Sequence, residues 1–265
     1  MQKPKINLQQ KSKISEYIKY KISNTGFKIC IVAIFVFLIL VVYYIFSHIA
    51  PSLKSYDVVS EETYKITEIS DQDFLDKVQN GTLDEVKQYL LLGANANAVD
   101  ENNHNALAIA ALLRPDPNLA KLLINNHINV NYKDNNGYNA LMLSAIAGGN
   151  NLAFTDELIK GKIDVNAKTN SQVSTLMVAV GSSTNVKLVE KIIKAGANVN
   201  YKNHEKVTAL MVAAKITTNP KIIEVLLKHG ANVAAKDSLG ISVYEIARTN
   251  PALKHNSKLL NRLKS

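Results

Sequence analysis

The 265-residue sequence contains one cysteine and no tryptophan. Because Cys30 is alone and lies inside an apolar run, no disulfide can form within the chain, and a reactive thiolate is not expected there. The six histidines do not pair at helical metal-ligand spacing with a glutamate between them. The sequence therefore predicts neither a disulfide framework nor a metal centre.

Motifs that carry catalytic chemistry are also missing. The pair Gly148 and Gly149 is not a phosphate-binding loop, because no Gly-Lys-Ser/Thr follows it. A tight connection between two helices explains these glycines better. We therefore expect no enzymatic activity, no cofactor and no small-molecule substrate.

Positive charge is concentrated in the first 28 residues. The chain has a formal net charge of +9. Residues 1–28 contribute seven lysines and one glutamate, and the rest of the chain is only mildly basic. A nucleic-acid-binding protein more often has a dense basic stripe with interleaved aromatic residues. Nucleic acid is therefore not an expected partner.

Residues 29–46 form a run of 18 residues without a charged or amide side chain. As a helix, this run of 18 residues, or of 22 when it is extended to residue 50, would span roughly 27–33 Å, which matches the hydrocarbon core of a bilayer. Aromatic residues cluster at its end, as at a membrane interface. The alternative is a cleaved signal peptide, but its apolar region would be shorter, about 7–15 residues. The sequence predicts a transmembrane helix over 29–50, in contact with the lipid bilayer.

The lysine asymmetry around this run predicts its orientation. Seven lysines precede it, whereas only Lys54 and Lys65 follow within about 20 residues. Residues 1–28 are therefore predicted to be a cytoplasmic arm, either an amphipathic helix on anionic lipid or a solvated tail. Residues 51–70 are predicted to be a polar linker. The remainder would lie outside the cytoplasm, in the periplasm of a bacterium.

An internal repeat occupies the chain from residue 71 onwards. One landmark falls at Asn95, Asn129, Asp164, Asn198 and Asn232, at spacings of 34 or 35 residues. A second landmark, twelve residues after each of these, keeps the same spacing: Leu107, Leu141, Leu176, Leu210 and Tyr244. Two landmarks with one period indicate a stack of similar structural units.

These units resemble the ankyrin-repeat family, in which a β-turn finger and two antiparallel helices repeat with a period near 33 residues. The family signature Thr-Pro-Leu-His-x-Ala appears in relaxed form, for example over 208–213 as Thr-Ala-Leu-Met-Val-Ala, and its Pro and His are missing in every copy. The resemblance implies an all-α solenoid of about six helix pairs. The expected repeats are 71–99, 100–133, 134–168, 169–202, 203–236 and 237–265.

Small polar residues and glycines mark the expected helix ends. N-caps of the first helices are predicted at Asn105, Asn139, Ser174, Thr208 and Ser242. Left-handed helix ends are predicted at Gly93, Gly196 and Gly230, with His127 and Lys162 in the equivalent places. Second helices are predicted to start at Asp116-Pro117, Asn219-Pro220 and Asn250-Pro251.

Four lysines, Lys133, Lys168, Lys202 and Lys236, occupy the same place in successive fingers. We call them the lysine ladder; stacked repeats would place neighbouring members about 10 Å apart. Such a row favours an acidic protein partner, although lysine is also a common solubilising residue. The predicted partner-binding residues are Lys133, Tyr138, Lys168, Lys202, His204 and Lys236. Met142, Met177 and Met211 form a second row, which either packs between helices or forms an adaptable binding surface.

Together these features predict a membrane-anchored, non-catalytic protein–protein interaction module. The alternative is an exported effector that binds proteins of a partner organism through the same repeats.

Overall fold

The computed structural model describes residues 69–264. The predicted basic arm, the apolar span over 29–50 and nearly all of the linker lie outside these residues. Within 69–264, no helix is both long enough and apolar enough to cross a membrane.

Twelve helices follow one another in the described part of the chain, and they form six antiparallel pairs. In chain order they are α1 (Asp71–Asn80), α2 (Leu83–Leu91), α3 (Ala106–Leu113), α4 (Pro117–Asn125), α5 (Ala140–Ile146), α6 (Leu152–Lys160), α7 (Thr175–Ser182), α8 (Val186–Lys194), α9 (Ala209–Ile216), α10 (Lys221–Lys228), α11 (Val243–Thr249) and α12 (Ser257–Arg262).

The pairs stack into two layers. Each first helix of a pair contacts the first helix of the next pair, from α1 through α3, α5, α7 and α9 to α11. The second helices α2, α4, α6, α8 and α10 form the other layer in the same way. In residues 69–264 the only β-structure is three isolated bridges at the bases of fingers. The predicted all-α solenoid of six helix pairs is confirmed.

The first helices begin where the sequence predicts, because a side-chain oxygen caps each one. Asn105 accepts a hydrogen bond from the Ala108 backbone N–H at 3.0 Å, and Asn139 does the same for Met142 at 3.0 Å. Both asparagines are almost fully buried. The remaining predicted caps, Ser174, Thr208 and Ser242, are also confirmed. These bonds satisfy one of the free N–H groups at each helix start.

The second helices end in left-handed residues. Gly93, Gly196 and Gly230 have φ of 94°, 101° and 80°, so the predicted glycine positions are confirmed. His127 and Lys162 take the same conformation, with φ of 61° and 64°, although they carry side chains. The repeat geometry therefore imposes this conformation where glycine is absent.

The three Asx-Pro predictions have different outcomes. Asp116 caps α4 with Pro117 in its first turn, as predicted. Asn219 also accepts the Lys221 N–H, at 3.2 Å, but α10 begins only after Pro220. The prediction for Asn250-Pro251 is wrong: a turn follows Asn250, and α12 starts at Ser257. Asn250 is buried instead, and its side-chain amide donates hydrogen bonds to the carbonyls of Ala214 and Thr217 in the preceding repeat, at 3.1 and 3.0 Å.

The methionine row lies in the core between neighbouring first helices. Met142, Met177 and Met211 are 0 %, 2 % and 1 % exposed. They fill space at the position where the family signature has histidine. Packing therefore accounts for the row.

A second set of inter-repeat contacts is polar. Asn97, Asn131, Asn166 and Asn200 each accept, through the side-chain oxygen, a backbone N–H of the next repeat at 2.6–2.8 Å. We call this row the asparagine ladder. The amides of Asn166 and Asn200 also donate to the carbonyls of Gly196 and Gly230, at 3.0 and 2.9 Å. Each of these two side chains thus joins two repeats by two hydrogen bonds.

Replacing Asn166 with alanine should lower the free energy of unfolding by about 1–2 kcal/mol, since two hydrogen bonds between repeats are lost. Urea unfolding of the full-length chain followed by circular dichroism would measure this. Asn118→Ala is the matched control, because Asn118 is exposed and its side chain makes no hydrogen bond within residues 69–264. The control should change stability by less than about 0.5 kcal/mol. Equal effects of both variants would contradict the assigned role of the ladder.

Candidate functional site

The fingers, which connect each helix pair to the next, are ordered by local hydrogen bonds. In each finger from the second repeat onwards, a side chain at the start of the turn accepts a backbone N–H four residues later. The acceptors are Asp100, Asp134, Thr169, Asn203 and Asp237. Neighbouring tips are also joined by backbone bonds, from Asn170 N–H to the Asn136 carbonyl and from Ser238 N–H to the Glu205 carbonyl, both 2.9 Å. The turns, and the bonds between these two pairs of fingers, can therefore hold side chains of the tips in fixed positions.

Two members of the lysine ladder contact residues of the following repeat. The Lys133 ammonium donates to the Lys168 carbonyl of the next repeat at 2.9 Å. The Lys168 ammonium lies over the ring of Tyr201, 4.5 Å from its centroid, in cation–π geometry. Tyr201 in turn donates its hydroxyl to the Gln172 carbonyl at 3.3 Å. These two lysines join neighbouring repeats as well as carrying charge.

The other two members are unengaged. Lys202 and Lys236 are exposed, and neither ammonium has a hydrogen bond or an ion pair within residues 69–264. Neither charge is therefore neutralised by a direct ion pair, although Lys236 is near enough to Glu245 to help lower the pKa of that carboxyl. The ladder divides into an N-terminal half that contacts the protein itself and a C-terminal half that faces solvent.

The remaining predicted binding residues occupy different environments. His204 is exposed at the tip of the finger that also carries Lys202. Tyr138 is only partly exposed and packs against the core. Its backbone N–H donates to the Asp134 carboxylate at 2.9 Å, which closes the finger turn.

A groove that sequence reasoning missed lies at the C-terminal end of the array. It runs between α9 and α11 and the last two fingers, and it has a volume of about 560 Å³. Apolar side chains form much of its lining: Val207, Met211, Val212, Ile216, Leu239, Ile241 and Ile246. We call it the C-terminal groove.

Polar groups in the described residues do not form a metal site. In the described range, no three His, Cys, Asp or Glu side chains come together closely enough to hold a metal ion. The ring of His104 lies 3.2 Å from the Asp100 carboxylate and 3.6 Å from that of Asp134. This contact joins two neighbouring fingers.

The stacked helix pairs, the fingers and the shared core define a helical-repeat protein with an extended surface along its fingers and first helices. The family model described as "Ankyrin repeats (3 copies)" matches residues 75–169 and 145–237, which is more than half of the chain. The chain therefore belongs to the ankyrin-repeat family. Members of this family typically act as non-catalytic protein–protein interaction modules. No curated protein matches the sequence.

Proposed function

We propose that this chain is a membrane-anchored ankyrin-repeat protein that binds an acidic protein partner along its finger tips. The observation that carries the acidic partner is the exposure of Lys202 and Lys236 without an ion pair in residues 69–264. Rigid fingers hold both ammonium groups on one edge, so their positive potentials add. Such a patch attracts a negatively charged surface and raises the rate of association.

The two lysines that contact neighbouring repeats support the same partner in a second way. Lys133 and Lys168 keep their charge while they join repeats, so the whole ladder remains positive. A partner that follows the ladder would meet four charges on successive repeats. His204, on the same finger as Lys202, adds a further polar contact at the tip.

Reversing the two unengaged charges tests this proposal. The double variant Lys202→Glu/Lys236→Glu should lose affinity capture of the partner, because two attractive contacts become repulsive. The tagged full-length chain would be incubated with extracts of its source cells, and the proteins that it retains would be identified. Binding of the retained partner would then be measured again with purified proteins. Capture by the unaltered chain should also weaken as salt rises.

The matched control is Lys187→Glu/Lys221→Glu. Both lysines are exposed, both lie on second helices away from the fingers, and the change in net charge is the same. The control should retain capture. Undiminished capture by the ladder variant, or equal loss in both variants, would refute recognition of the ladder.

The anchoring part of the proposal places the repeats outside the cytoplasm. It is supported by the 18-residue apolar run over 29–46 and by the excess of lysine before it. A reporter fused after Ser265 that is active only outside the cytoplasm should therefore be active. Protease added to cells whose outer membrane has been opened, with the inner membrane intact, should also cleave the repeats. A reporter active only inside would overturn the orientation, and release of the chain into the medium would favour the exported effector.

A further inference from the structure

The last finger breaks the pattern of the array with an exposed leucine. Leu239 is 82 % exposed, and the equivalent positions of the earlier fingers are polar: Asn102, Asn136, Ser171 and Glu205. Burial of a leucine side chain is worth about 1.5–3 kcal/mol, so this residue leaves substantial binding energy unused. Its position in the lining of the C-terminal groove places that energy at a concave site.

Two further apolar side chains surround the same space. Ile216 is 50 % exposed and Ile241 is 38 % exposed. Ile216 and Val212 extend towards Gly181 of the preceding repeat, where a Cβ atom would lie 3.5 and 3.4 Å from their methyl groups. A Cβ atom at Gly181 would thus be in ordinary van der Waals contact with both residues, which reach α7 on one side and line the groove on the other.

The charged groups at this groove are mainly acidic, in contrast to the chain as a whole. Glu205, Asp237 and Glu245 line it together with one ammonium, that of Lys215. None of these carboxylates has an ion pair within the described range. The pKa of Glu245 is held below its ordinary value, chiefly by hydrogen bonds from Ser242 and less by the charges of Lys236 and Arg248. With three carboxylates and one ammonium, the side chains that line the groove carry a net negative charge.

We propose that the C-terminal groove binds a short segment of a protein partner that presents apolar side chains beside lysine or arginine. The apolar side chains would enter between α9 and α11, and the cationic group would meet Glu205 and its neighbouring carboxylates. An apolar anchor in a pocket with a charged rim is the usual arrangement of a binding hot spot. This inference rests on the proposed function, since it assumes that the repeats bind protein.

The groove and the lysine ladder together give such a partner one orientation. The ladder attracts acidic groups along the finger tips, whereas the groove attracts a basic segment at one end of the array. A partner with both features could dock in only one direction, because the reversed arrangement would place like charges together.

The test is selection of short peptides on the full-length chain. A phage-displayed library of random peptides, selected on the N-terminally tagged protein, should be enriched in peptides that combine leucine, isoleucine or phenylalanine with lysine or arginine. Fluorescence anisotropy with the synthetic peptides should show at least about ten-fold weaker binding to Leu239→Ser/Ile216→Ser. Glu205→Lys should also weaken binding of these peptides, because a positive charge would then face their lysine or arginine. The Glu205 side chain makes no hydrogen bond within residues 69–264, so this variant changes the charge of the groove without removing a structural contact.

The matched control is Leu92→Ser/Leu113→Ser. Leu92 and Leu113 are 74 % and 60 % exposed and lie outside the groove. The control should bind the peptides like the unaltered chain. Enrichment of acidic peptides, no enrichment, or equal weakening by both double variants would overturn the inference. So would a dimer, seen by light scattering, that Leu239→Ser/Ile216→Ser dissociates, because the occupant would then be a second copy of this chain.

Failure of this inference is distinguishable from failure of the proposed function. If Lys202→Glu/Lys236→Glu loses capture of the partner and Leu239→Ser/Ile216→Ser retains it, the groove is not a binding site and the ladder is. If the peptides bind the groove but reversal of the ladder leaves capture unchanged, the acidic partner is refuted and the groove inference stands.

Discussion

Replacing Phe154 with alanine is expected to lower the free energy of unfolding by about 3–5 kcal/mol. Phe154 is 0 % exposed and is among the largest fully buried side chains in residues 69–264. It lies on α6, which packs between α4 and α8 in the layer of second helices. Removing its ring would leave a cavity in the third of six helix pairs. A neighbouring helix pair could fill this cavity only by shifting, and that shift would disturb its packing against the next pair.

The position of Phe154 in the middle of the array should also affect the shape of the unfolding transition. In a solenoid each repeat contacts only its neighbours, so a defect in the middle weakens the coupling between the two ends. Urea unfolding of Phe154→Ala should therefore show a lower midpoint and a broader transition than the unaltered chain. Leu113→Ala is the control, since Leu113 is 60 % exposed, and it should change stability by less than about 0.5 kcal/mol. A loss below about 1 kcal/mol for Phe154→Ala would show that the site collapses without cost.

The second large effect is expected at Gly137, in the finger between the second and third helix pairs. Its φ is +85°, and an added Cβ would lie 2.7 Å from the backbone nitrogen of Asn170 in the next finger. Backbone atoms cannot rotate away as a side chain can, so the fingers would have to separate. Gly137→Ala should therefore cost about 2–4 kcal/mol, from left-handed strain together with overpacking.

Gly240→Ala separates these two contributions. Gly240 has a similar φ of +80°, but no atom lies within 4 Å of its added Cβ. Its replacement should cost only the left-handed strain, about 1 kcal/mol. Thermal unfolding of the two variants measures the difference, which reports how closely neighbouring fingers approach. Equal destabilisation would mean that the fingers adapt freely. The lysine ladder would then lack the rigid support assigned to it.

Much of the fold could be predicted because each repeat has the same local requirements. An N-cap such as Asn139 is needed wherever a first helix begins, and Gly196 suits the place where a second helix ends. These requirements act over a few residues, so the sequence records them as a period. The same local rule failed at Asn250-Pro251, near the end of the array. There the contacts of Asn250 are with carbonyls 33 and 36 residues earlier, and no local pattern reveals them.

The candidate site was harder to predict because its properties depend on neighbouring repeats. The four lysines of the ladder look equivalent in the sequence. They differ because Lys133 reaches a carbonyl and Lys168 reaches the ring of Tyr201, both in the following repeat. The C-terminal groove had one available signal, the replacement of a polar residue by Leu239. Only the structure shows that Ile216, at the end of α9, lines the same groove as Leu239, which lies in a finger turn.

The asparagine ladder has a consequence for how this array can change in length. Each of its side-chain oxygens, as at Asn131, binds a backbone N–H of the following repeat rather than a side chain. Every non-proline residue supplies that N–H, so the joint places little demand on the identity of the neighbour. Removing one whole unit would bring Asn131 against Asn198 instead of Asp164, with the same hydrogen bond available. At this polar joint, the loss, duplication or exchange of a whole unit would therefore require no new hydrogen-bonding partner, whereas the side chains packed between the helices would have to fit their new neighbours.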